Sequence, residues 1–82
     1  MSGGGRLLTL DLHGCTVEQA RKKVSHAIAA LSPQYEGIYV IHGSNNGTSL
    51  LNYIRNGVKS PKIDYITPSL TNPGATTIYI KR

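Results

Sequence analysis

A chain of 82 residues, 39% of them hydrophobic and with one cysteine, suffices for one small domain and excludes a second core, an internal disulfide and a zinc-finger set of cysteines. Nine lysines and arginines against four acids give a net charge of +5 and a pI near 9.7, a balance that favours polyanions but that many small soluble proteins also carry. No stretch approaches the roughly 20 apolar residues of a membrane span, and the opening MSGGGR has no secretory core. The expected setting is therefore reducing and cytoplasmic, with residues 1–6 as a flexible leader and 7–82 as one domain.

The run LLTLDL at 7–12 alternates, with Leu8, Leu10 and Leu12 on one face and Leu7, Thr9 and Asp11 on the other, which predicts a strand. After Gly14 and Cys15, Thr16 followed by Gln19 forms a capping-box pattern that starts a helix. Val17, Ala20, Val24, Ala27, Ile28 and Leu31 make its apolar stripe, and Pro33 ends it. GIYVIHG at 37–43 is β-branched and aromatic and predicts a strand covered on both faces or at the sheet centre. A second helix is expected from Thr48, carrying Leu50, Leu51, Ile54 and Val58 until SPK stops it. Strands at 62–67 and 76–81 follow, joined by PSLTNPGA, whose proline, asparagine and glycine suit a loop. The order predicts an α/β domain with a four-stranded mixed sheet, parallel among its early strands and closed by a long-looped hairpin, with both helices on one face.

LDLHGCT and VIHGSNNGT place a His-Gly pair at the end of each of the first two strands, one strand–helix–strand unit apart. Parallel neighbours would bring both corners to the edge where strand carboxyl ends meet helix amino ends, the usual ligand position in open α/β sheets. Unpaired N–H groups at that edge suit a phosphate, and Gly14, Gly43 and Gly47 let the backbone approach it closely. Asp11, His13 and His42 are the candidate catalytic set, converging on one phosphodiester: histidine as acid or base, carboxylate as its orienting partner. The same three residues could instead hold one divalent metal. The plainer alternative is two strand stops, each with a bonded histidine and a glycine at positive φ.

Ser44, Asn45, Asn46, Gly47 and Thr48 open the second helix like a phosphate loop, without the lysine of a P-loop, or else form a simple capping turn. Arg21, Lys22 and Lys23 either touch a nucleic-acid backbone or form a solvated helix face. Cys15 is a nucleophile candidate at a helix start, although a single small cysteine more often packs. His26 lies on the solvated side of the first helix and carries no assignment. A small-molecule phosphate enzyme using the same edge would need longer walls than so short a chain supplies.

With LDLHG, IHGSNNGTSL and a closing GATTIYI in this order, the chain resembles the small MutS-related (Smr) domain family from about Leu8 to Lys81, in its small stand-alone bacterial form. The resemblance implies a two-layer α/β sandwich of β-α-β-α-β-β order, similar to the C-terminal domain of bacterial translation initiation factor three. It also implies nucleic-acid binding and, in some members, endonuclease activity that nicks DNA or cuts RNA; a binding module without chemistry is the alternative. By motif, Asp11 and His13 are the residues associated with cleavage, His42 and Gly43 match the second loop, and Ser44 to Thr48 would lie near the phosphate backbone. Members linked to cleavage often carry a basic residue after the second His-Gly, where this chain has Ser44 and Asn45. Phosphate contact would then rest on backbone N–H groups, the asparagine amides and Arg55. With no heptad and no unbroken apolar surface, a monomer is expected.

Overall fold

The computed structural model describes residues 6–43 and 49–81. β1 spans Arg6–Asp11, so Arg6, expected in the leader, belongs to the sheet, while Leu12 lies just past the strand and is fully buried. α1, Val17–Ala30, begins where the capping box predicts: the Gln19 N–H donates to Thr16 Oγ1 at 3.1 Å and the Thr16 N–H to Gln19 Oε1 at 3.0 Å. Two of the otherwise unpaired donors of the first turn are thereby satisfied. Ala20, Val24, Ala27 and Ile28 fall on one stripe and are buried, while Val17 and Leu31 at its two ends are only half-buried. β2, Tyr35–Ile41, starts two residues before the expected Gly37 because Tyr35 pairs with Arg6, and it stops short of His42 and Gly43.

The second helical segment departs from the expected regular helix. α2 covers only Ser49–Asn52 and runs directly into a π-helical turn, Tyr53–Gly57. The apolar spacing Leu50, Ile54, Val58 is served by either winding, so periodicity could not tell them apart. Ile54 is nevertheless fully buried, as the stripe requires. β3, Ile63–Pro68, and β4, Ala75–Ile80, form the closing hairpin.

The sheet order is β1-β2-β4-β3, with β1 and β2 parallel and the other two pairings antiparallel. The expected mixed sheet is thus present, with the last strand inserted at its centre beside β2. Leu8 and Leu10, Ile38 and Val40, and Ile78 point to one face and join Ala20, Val24, Ala27, Ile28 and Ile54 in a single core. Both helical segments therefore cover the same face. A side chain at Gly37 would run into the Ile78 carbonyl, so glycine there allows β2 and β4 to pair closely on the open side. On that open face Tyr79 stacks on Tyr65 across the hairpin, ring centroids 4.7 Å apart.

Candidate functional site

The first corner is built by period two and one positive φ. Leu10 and Leu12 turn into the core, so Asp11 between them takes the opposite face. The Leu12 N–H still donates to Ile41, continuing the parallel pairing, and the Cys15 N–H then donates back to the Leu12 carbonyl at 3.0 Å. Gly14, at φ +80°, makes this reversal without steric strain and delivers the chain to the Thr16 cap. Asp11 Oδ1 accepts from the His13 backbone N–H at 3.1 Å and meets His13 Nδ1 at 2.6 Å. His13 and Asp11 side chains are 72% and 53% exposed, so the pair faces solvent. The ring contact first, and the backbone N–H second, hold the Asp11 carboxyl below its ordinary pKa by stabilising its charged form.

The second corner is tied to β4. The His42 and Gly43 N–H groups both donate to the Gly74 carbonyl at 2.9 Å, with Gly43 at φ +82°. His42 is 4% exposed and lies on the covered face, where Nδ1 meets the Gly43 carbonyl at 2.9 Å and Nε2 meets Thr76 Oγ1 at 2.9 Å. A carbonyl can only accept, so Nδ1 carries the proton and, in the neutral ring, Nε2 accepts from the Thr76 hydroxyl. Thr76 and Gly74 thus fasten this corner. The sequence signal was the closing GATT, which spacing alone did not connect to a histidine so far upstream.

The two corners are neighbours, since a Cβ placed on Gly43 would stand 3.9 Å from His13 Cβ. They do not aim their rings at one point: Asp11 and His13 meet in solvent, whereas His42 is enclosed and engaged. The expected convergence of all three on one group is not present in this arrangement. Below the corners a cleft of about 380 Å³ is lined by Gly14, Cys15, Thr16, Val17, His42, Ser49 and Leu50.

The Smr domain family model matches residues 10–81. The chain belongs to the Smr domain family. It is 34% identical, over 77 residues, to endonuclease MutS2 of Ligilactobacillus salivarius (strain UCC118), an alignment that covers 89% of this chain and 10% of that protein. This Smr domain therefore spans about a tenth of that relative. The crystal structure of the Smr domain of Thermus thermophilus MutS2 superposes with a TM-score of 0.81 at 20% identity, covering 93% of this chain and 100% of that one, which fixes the fold.

Other expected positions in this Smr domain are distributed around that edge. Arg21 lies over the Tyr53 ring, its Cζ 5.7 Å from the centroid, joining α1 to the π-helical turn. Burial pushes the Tyr53 phenol up in pKa, with Arg21 acting in the other direction. Lys22 is exposed, and Lys23 Nζ reaches the half-buried Cys15 Sγ at 3.5 Å. Arg55 is half-buried, and its Nε is enclosed without a partner among the described residues. Ser44, Asn45, Asn46, Gly47 and Thr48 lie outside the described residues. Among the described residues no three histidine, cysteine or acidic side chains gather to hold a metal ion, so the Asp11, His13, His42 ligand set is not assembled. No helix among them is long and apolar enough to cross a membrane.

Proposed function

We propose that this Smr domain binds nucleic acid across the paired corners and cleaves a phosphodiester there, with Asp11 and His13 as its acid–base pair. The observation that carries this reading is the exposed contact of His13 Nδ1 with Asp11 Oδ1 at 2.6 Å. With Nδ1–H donating to the carboxylate, the lone pair of Nε2 points away from the pair and can take a proton from an attacking water or hydroxyl. The carboxylate holds the ring in that tautomer and supports the imidazolium that forms, while water at this exposed site protonates the leaving oxygen as the P–O bond breaks. Gly14 and Gly43 leave room for a phosphate beside it. His42 acts here as a positioning residue, holding Gly43 against His13 through Gly74 and Thr76. The family, and the MutS2 relative being an endonuclease, support the same reading. A monomer in the cytoplasm, with nucleic acid as its partner, completes the proposal.

The test is incubation with supercoiled plasmid and with structured and single-stranded RNA, with added magnesium and with chelator. Nicking or cutting that disappears in an Asp11→Ala, His13→Ala double variant is expected. Equal background from wild type and variant would overturn the catalytic role. A binding module without chemistry is the second reading, and the enclosure of His42 favours it, because a proton donor for the leaving oxygen is then missing among the described corner residues. Retained oligonucleotide binding with no cleavage would select it.

A further inference from the structure

The two edges of the sheet are defended differently. β3 ends in Pro68 and breaks register between Ile63 and Tyr65, two devices that discourage pairing with another strand. β1, at the opposite edge, is paired among the described residues on one side only, by β2, and its single register shift lies at its start, between Arg6 and Leu7. Leu12 donates towards β2, so by alternation Leu10 and Leu8 do the same, and Leu7, Thr9 and Asp11 turn their N–H and C=O groups outward. Beside that row of free groups runs a groove of about 540 Å³ between β1 and α1, lined by Leu8, Leu10, Ala27, Ala30, Lys22, Lys23 and His26 with Thr9.

The groove is graded. A helix that crosses over between parallel strands runs back along the first of them, so Ala30 and Ala27 lie towards the start of β1 and Lys22 and Lys23 towards its end. Its middle is apolar, and among the described residues no acidic side chain lines it. An antiparallel second copy would set its Lys22 and Lys23 beside Arg6 at the start of β1, and a parallel one would set them beside Lys22 and Lys23, so either self-pairing brings cation against cation on a molecule of net charge +5. A nucleic acid would find cations here but would leave both the apolar floor and the row of strand donors unused.

We propose that β1 and α1 together form a docking site for an extended segment of another protein, which adds as a fifth strand to β1 with apolar side chains in the groove and an acidic one at Lys22 and Lys23. Main-chain bonds to Leu7, Thr9 and Asp11 hold it, and the groove selects its alternate side chains. This inference is independent of phosphodiester cleavage.

The experiment titrates isotope-labelled full chain with the blocked peptide ETVTVTVTE, whose alternate side chains are valines flanked by glutamates in either direction, and follows backbone amides by NMR at low salt. Amide shifts at Leu7, Thr9, Asp11, Ala27 and Ala30 are expected, with slowed hydrogen exchange at Thr9. A double variant, Lys22→Glu with Lys23→Glu, sits on the exposed helix face and weakens the affinity roughly tenfold by reversing two rim charges. Thr9→Pro, which removes one outward donor, weakens it as well; if that variant does not fold, the lysine variant carries the test. The proposal is overturned if the peptide moves none of these amides, or if KTVTVTVTK binds equally well. It is also overturned if the same amides shift with protein concentration alone, or if they respond to a single-stranded oligonucleotide and not to the peptide.

Discussion

Asp11 and His13 form a pair whose strength depends on pH in a fixed sense. The Asp11 carboxyl is held below its ordinary value by the His13 ring and N–H. A depressed folded-state pKa means that the stabilisation is present above the unfolded value of about 4 and is lost as pH falls through the lower folded one. Asp11→Asn is therefore expected to lower the Tm slightly near neutral pH, with the gap closing on acidification and shrinking in salt because the pair is exposed. The same variant should reduce any cleavage by roughly a hundredfold or more, the usual loss when a catalytic proton transfer is misdirected. Thr76→Val tests the other corner. It leaves His42 Nε2 buried without a partner and should cost about 1–3 kcal/mol in chemical denaturation, against near neutrality if that nitrogen finds water. Asp11 and His13 were legible in the sequence because a period of two places them together locally. The enclosure of His42 was not, because its hydroxyl partner is 34 residues away and reaches it only through the insertion of β4 beside β2.

The elements owe their ends to specific residues. Thr16 and Gln19 cap α1 reciprocally, so Thr16→Ala should lose about 1 kcal/mol of stability and reduce helicity at the turn that borders the His13 corner. Thermal melts with circular dichroism measure this, and an unchanged Tm would mean that packing of Ala20 and Val24 alone fixes the helix start. This helix was legible throughout, since cap, stripe and proline all agree, as was the parallel pairing that sets the two His-Gly corners side by side. The second helical segment was legible only in its buried face. Leu50, Ile54 and Val58 repeat every four residues, and that spacing does not record whether the backbone closes its rings at four residues or at five. The edge strands were equally hidden: nothing local in LLTLDL says that, among the described residues, β2 alone pairs with it, although that single fact leaves its outer groups without a strand partner there.

At the scale of the whole molecule, the proposed nucleic-acid binding would draw on charge and site through different forces. The net charge of +5 acts at a distance and is screened by salt, whereas direct contacts at the corners would act at short range and be screened far less. Their relative weight follows from how binding to a single-stranded oligonucleotide varies with ionic strength. If about three phosphates are neutralised, affinity should fall roughly ten- to twentyfold between 50 mM and 200 mM salt, from a slope of about 0.7 per phosphate. The Asp11→Ala, His13→Ala double variant is the right protein for this measurement, because it removes the proposed cleavage pair without removing any lysine or arginine. Fluorescence anisotropy at a series of salt concentrations gives the slope directly. A slope near zero would mean that the positive surface contributes nothing to binding and that the corner contacts alone hold the strand. A slope well above that of three phosphates would instead assign contacts to lysines remote from the corners, making the exposed faces of the domain, and not its paired His-Gly turns, the main determinant of affinity.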